Sequence, residues 1–287
     1  MTKRIAKHFL RILLSLLVGG LLAATLVRFA PGFEVDEREL DTRLNQQSIV
    51  AIRSERVAEP GLAQFYLHYL SRLLHGDLGV SRSSNRPAAD LIRERLTVTV
   101  REIGIGLVAA WFLALLMAVP AAMRRDTPFD LLFALVTGGL VSIPAGVLAV
   151  LFFLFSWPAS LAIALVLVPK VFAYARNLLA RGYAMPHVLT ARSKGLGETR
   201  VFFWHVVPTT APQLLALAGV SVSIAIGAAV PIEALCDQPG IGQLAWHAAL
   251  ARDLVLLVNL TLIVTLVTVV ANSASDLLGA AMQRGNA

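Results

Sequence analysis

Asp77, Glu233, Asp237 and Asp253 are the carboxylates in this sequence that invite a chemical reading. A protonated and an ionised acid side by side can act as general acid and general base in a hydrolysis. Helix capping or pairing with Arg252 accounts for the same residues, and no reactive cluster gathers around them. The six histidines (His8, His68, His75, His187, His205, His247) include no HExxH and no i,i+4 pair, so their spacing offers no metal site. Cys236 is the only cysteine; it can close no internal disulfide and belongs to no CxxC. There is no GxxxxGK[ST] phosphate loop. The expectation is a chain with no catalytic residue, metal or cofactor. Lys170, set in an apolar run, is the one charge whose position is unusual.

A second kind of work is suggested by "TARSKGLGETRVFFWHVVP", Thr190–Pro208. Gly195-Leu196-Gly197 divides it into two helix-like halves, because glycine permits the sharp reversal that a side chain would obstruct. Val188, Leu189, Val201 and Phe202 are too many apolar residues for a solvated loop and too few for a membrane span. The residues alone leave two readings open: an interfacial helix with its basic side chains on lipid phosphates, or a plug that inserts into a partner protein.

These segments sit in a chain made for a bilayer. It is 57% hydrophobic and 15% charged, with a mean hydropathy of +0.72; soluble domains average about 45–50% apolar and about 25% charged. The net charge of +7 does not mark a nucleic-acid surface. The segment 31–101 holds ten basic and ten acidic residues, so the excess lies elsewhere, mostly at helix ends.

Six runs approach the roughly 20 apolar residues a spanning helix needs. They are about Phe9–Phe29, about Ile103–Met123, Leu131–Phe155, about Ala159–Leu179, about Gln213–Ile232 and about Leu254–Leu278. The first follows Lys3, Arg4 and Lys7 like a signal peptide. Its apolar run is too long for one, and Arg28 stands where a small cleavage site belongs, so it reads as an uncleaved anchor. Lys170 interrupts the fourth toward its inner end, where its side chain can snorkel. Lys and Arg collect at the N-terminus, after span two (Arg124, Arg125), after span four (Arg176 to Arg200) and at Arg284. All fall on one side, which predicts cytoplasmic termini. Between spans one and two, "LAQFYLHYLSRLLHG" (Leu62–Gly76) has the period of an amphipathic helix resting on the bundle or the membrane surface. "RPAADLIRERL" (Arg86–Leu96) reads as another helix leading into span two.

In this setting the Thr190–Pro208 stretch resembles the loop signature of binding-protein-dependent ABC importer permeases, Glu-Ala-Ala, three residues, Gly, nine residues, Ile-x-Leu-Pro. Leu189, Thr190 and Ala191 take the first three places, Gly195 the glycine, His205 and Val207 the Ile and Leu places, and Pro208 the proline. "LTARSKGLGE" is closer to the pattern of the peptide/nickel branch, Arg-Thr-Ala-Arg-Ala-Lys-Gly-Leu-Ser-Glu. Further matches follow in order: Arg28 with Pro31-Gly32, "GDLG" (Gly76–Gly79), Arg86-Pro87, "LIRERL" (Leu91–Leu96), "SIP" (Ser142–Pro144), Glu233, "PGIG" (Pro239–Gly242) and "ARD" (Ala251–Asp253). Thr97 stands where proline is usual, and the link Ser156–Ser160 is short for this branch.

The resemblance implies an all-α membrane protein with the six-span type I ABC importer permease fold. The parts would be an anchor (1–30), an outer helical segment (31–101) and a five-helix core (102–287) with a cytoplasmic coupling loop at 181–210. It implies a bacterial inner membrane, a second permease completing a heterodimer, two cytoplasmic ABC ATPases that hydrolyse the ATP, and an extracytoplasmic solute-binding protein. Leu189, Thr190, Ala191, Arg192, Lys194 and Gly195 would dock the ATPase, with Glu198 and Arg200 as orienting charges. Ser142, Pro144, Ser221 and Ser223 are candidates to line a pore, although helix packing explains small serines as well. The cargo would be di- or oligopeptides; the alternatives are nickel or another small solute and, outside the family, an ion-coupled carrier or an intramembrane enzyme.

Overall fold

The apolar runs wind into helices because a backbone in hydrocarbon must satisfy its own N–H and C=O groups. The computed structural model describes residues 62–124 and 127–285, with residues 10, 14–15, 17–22 and 25 of an N-terminal helix. Most of the expected first span (Phe9–Phe29), the outer segment before Leu62 and both extreme termini lie outside the described residues. The helices are α1 (Leu62–Leu74), α2 (Ala88–Met123), α3 (Pro128–Val141), α4 (Ala145–Leu154), α5 (Ala159–Tyr183) and α6 (Pro186–Ser193). They continue with α7 (Glu198–Leu235), α8 (Ile241–Leu250) and α9 (Leu254–Gly285).

Among the described residues, α2, α5, α7 and α9 are long and apolar enough to cross a membrane. The pair α3–α4, bent by 89°, makes a fifth crossing if it is one broken span. That bend corrects the expectation of one unbroken span over Leu131–Phe155. Pro144 has no N–H to give and disfavours a helical Ile143, so α3 ends in a cap at Ser142 and α4 starts afresh at Ala145. Two further expectations change. "RPAADLIRERL" is no separate helix; its residues from Ala88 are the first turns of α2. Lys170 does not sit near a helix end. It lies 11 residues from Ala159 and 13 from Tyr183, in the middle of α5.

The described chain divides into two compact units. The described residues of the first fall within 10–94 and 245–265. Here Tyr66 and Tyr69 of α1 pack on Leu254, Val258 and Leu262 of α9, so the amphipathic face of α1 rests on another helix. The buried Asn259 ties this unit together. Its amide donates to the carbonyls of Leu78 and Val255, both at 2.8 Å, and its oxygen accepts from Tyr69 Oη at 2.9 Å.

The described residues of the second unit fall within 95–244 and 266–285. The core is built on α5, whose Ile163, Leu167, Val171, Phe172 and Leu179 are buried. Ala110, Ala114 and Ala118 form a buried small-residue stripe on α2, while Val108, Phe112 and Leu116 on its opposite side are exposed. That division suits a helix with one face on a partner helix and one in lipid. At Gly106 the backbone of α2 comes so near α5 that an added Cβ would lie 2.9 Å from the Ser160 carbonyl oxygen. One turn earlier, the buried Glu102 accepts from Ser160 N at 3.0 Å and satisfies an orphan donor at the start of α5. A bidentate ion pair between Asp130 of α3 and Arg176 of α5 fastens the other end.

Candidate functional site

The Thr190–Pro208 stretch folds as a hairpin whose first arm is α6. Its turn is a full Schellman closure. Leu196 N donates to Ala191 O at 3.3 Å and Gly195 N to Arg192 O at 2.9 Å. Gly195 has φ +75°, a region a Cβ penalises. The second arm is not an independent short helix, as the sequence suggested. Starting at Glu198 it runs through a π-helical turn, Phe202–Val206, into the rest of α7. Pro208 supplies the reason. It offers no N–H, and its ring clashes with the carbonyl of Trp204 in a regular α ladder, so the wider turn forms just upstream.

The hairpin stands on apolar feet. Val188, Val201 and Val206 are fully buried, and Gly182 lets the end of α5 press so close to α7 that a Cβ there would meet Thr210 Cγ2 at 2.8 Å. Leu189, Thr190 and Lys194 face outward; Ala191 faces in. Arg192 joins the parts. It donates to Glu198 at 2.9 Å across the turn, and its guanidinium lies 5.2 Å from the centre of the Tyr183 ring. Arg200 is exposed. Of the residues expected here, the structure thus brings Arg192 and Glu198 together. The sequence reading missed Tyr183, since nothing local marks an aromatic residue at the end of α5 as a seat for an arginine nine residues later.

Residues 107–286 match the model of the family described as binding-protein-dependent transport system inner membrane component. The chain belongs to that family. Relatives agree with the branch read from "LTARSKGLGE". A putative peptide permease protein of Brucella suis is 26% identical over 91% of this chain and 92% of its own length. A putative peptide transport system permease protein of the same organism is 30% identical over 73% of this chain and 75% of its own. A nickel import system permease protein of Staphylococcus aureus is 24% identical over 96% of this chain and 89% of its own.

In this permease the four carboxylates serve four separate structural ends. Asp77 accepts from Gly79 N at 2.8 Å and from Arg72 Nε at 2.9 Å; the Gly79 N–H first, then Arg72, hold its carboxyl below the usual carboxylate range. Asp253 is buried. It takes Ser81 Oγ at 2.6 Å, Ser83 N and Ser83 Oγ at 3.1 Å each, and caps α9 through Leu256 N at 3.1 Å. Glu233 is buried against Gly240 and accepts from Gly242 N at 2.6 Å, which explains why "PGIG" has glycine in both places. Asp237 accepts from Gln243 at 2.6 Å. Among the described residues no three His, Cys, Asp or Glu side chains are grouped to hold a metal.

The pore candidates separate. Ser142 and Pro144 are exposed at the α3–α4 bend, and Ser223 is half-buried, accepting from Asn272 at 3.2 Å. Ser221 is fully buried within the chain, accepting from Trp111 Nε1 at 3.0 Å.

Proposed function

We propose that this chain is one of two related permease subunits of an ATP-driven importer for di- and oligopeptides, and that two cytoplasmic ATPases act on it through the 181–210 loop. The observation that carries the reading is the build of the hairpin. The exposed Leu189, Thr190 and Lys194 are backed by the fully buried Val188, Val201 and Val206. A surface so supported transmits a push to α5 and α7 instead of absorbing it. In this reading Leu189–Gly195 make the docking surface, Glu198 fixes Arg192, and Arg200 orients the partner. Residues 1–30 are an anchor and the first of six spans, 31–101 lie outside, 102–287 are the core, and both termini face the cytoplasm of the bacterium. The pore runs between the two permeases past Ser142, Pro144 and Ser223, with Ser221 supporting from behind. A binding protein outside delivers the cargo. Because one relative bears the name of a nickel importer, nickel is the cargo to test after peptides.

Gly195→Trp tests the coupling. No atom lies within 4 Å of a Cβ built at Gly195, so the side chain has room, and the left-handed backbone costs about 1–2 kcal/mol. The tagged variant is expected to purify with both ATPases and the second permease and to hydrolyse ATP, while uptake of labelled di- and tripeptides falls about tenfold or more. Full uptake by a normally assembled variant would overturn the docking assignment, and a wild-type chain that purifies without ATPases would overturn the function.

A further inference from the structure

The most buried of the four long helices, α5, carries an uncovered polar stripe over half its length. Lys170, Tyr174, Asn177 and Arg181 recur at intervals of four, three and four, which places them on one face, and all four are exposed. The other half of that face, through Ile163, is closed over by α2 at Gly106. The stripe holds two cations and no acid. The nearby Arg176 is neutralised by Asp130, whereas Lys170 makes no hydrogen bond or ion pair with any described residue.

Such a face is a poor match for lipid. An ammonium near the middle of a spanning helix belongs in a water-filled cavity or beside a partner. From position 170 the next charged residue toward the inner end is Arg176, six residues or about 9 Å on, and a helical side chain leans toward the N-terminus, away from that end.

We infer that the Lys170–Arg181 face of α5 lines the aqueous translocation path and that Lys170 attracts a carboxylate-bearing solute such as a peptide through it. This rests on the permease reading and adds the sign of the charge that the path favours. A positive wall in a low-dielectric cleft raises the local concentration of anions.

The test uses membranes containing the whole importer, with Cys236→Ser removing the native thiol and single cysteines introduced as Lys170→Cys, Tyr174→Cys or Asn177→Cys. Membrane-impermeant thiosulfonates of opposite charge are applied to right-side-out and inverted vesicles. All three positions are expected to react in at least one vesicle orientation. At Asn177→Cys, about 10 Å along the helix from Lys170, Lys170→Gln should lower the ratio of anionic to cationic labelling rates about threefold or more. Cysteines that react only with a lipid-soluble maleimide would put the stripe in lipid. Protection that ends when the second permease is left out would make it a subunit seam. A rate ratio indifferent to Lys170→Gln would remove the anion preference. Each result overturns the proposal. A failed importer reading instead shows as missing ATPases, which leaves the labelling pattern unaffected.

Discussion

Two glycine-marked turns of this chain, 76–88 and 186–198, are held in opposite ways. The first is locked by polar groups. Asp77 closes its own turn, Asp253 gathers Ser81 and Ser83, and Asn259 holds Leu78. The second is locked by packing: three fully buried valines, a glycine-capped turn and one half-exposed ion pair. Hydrogen bonds to a carboxylate fix position but depend on its ionisation, whereas packed valines have no charge state to lose. The second arrangement suits the coupling role proposed above, because it holds its shape at any pH.

The polar lock of the first turn is most vulnerable at Asp253. Asp253→Ala strands Ser81, both Ser83 donors and the Leu256 N–H, and is expected to cost about 3 kcal/mol or more. The thermal midpoint in detergent should fall, and trypsin should cut after Arg82; a midpoint unchanged from wild type would show that the loop is held otherwise. The hairpin is weakened by Val201→Ala, which removes fully buried methyl groups and should cost about 2 kcal/mol. Its effect on the midpoint should be equal at pH 5 and pH 8, since no titrating group is touched. The smallest effect is the pH response of Asp77. Its carboxyl is held below the ordinary range, so its contribution is complete above the unfolded value near 4 and is lost as pH falls through the lowered folded value. Asp77→Asn should flatten the acid side of the stability curve below about pH 4; a variant that keeps the full wild-type slope would assign that slope to other acids.

What was legible in the sequence follows from what is local. The hairpin turn was readable because Gly195 and Gly197 bracket it, and the period of Leu62–Gly76 was enough to predict α1. The α3–α4 bend had its signal in Pro144, but a long apolar run outweighed one proline. The middle placement of Lys170 depended on where α5 ends, and Pro186, which holds Met185 extended, sets that end. Contacts between residues far apart left no trace at all: Asn259 with Tyr69, Trp111 with Ser221, Glu102 with Ser160. Helix capping was the expected role for the four acids, and Asp253 does cap α9, but the other partners are backbone N–H groups and side chains that the sequence did not name.

The wide turn at Phe202–Val206 has one more consequence. A π turn holds one residue more than an α turn, and one residue is about 100° of rotation. The Glu198 end of the second arm is therefore swung about a quarter of a revolution from where an uninterrupted ladder would aim it. Which way the hairpin points is decided inside that turn, two to six positions upstream of Pro208.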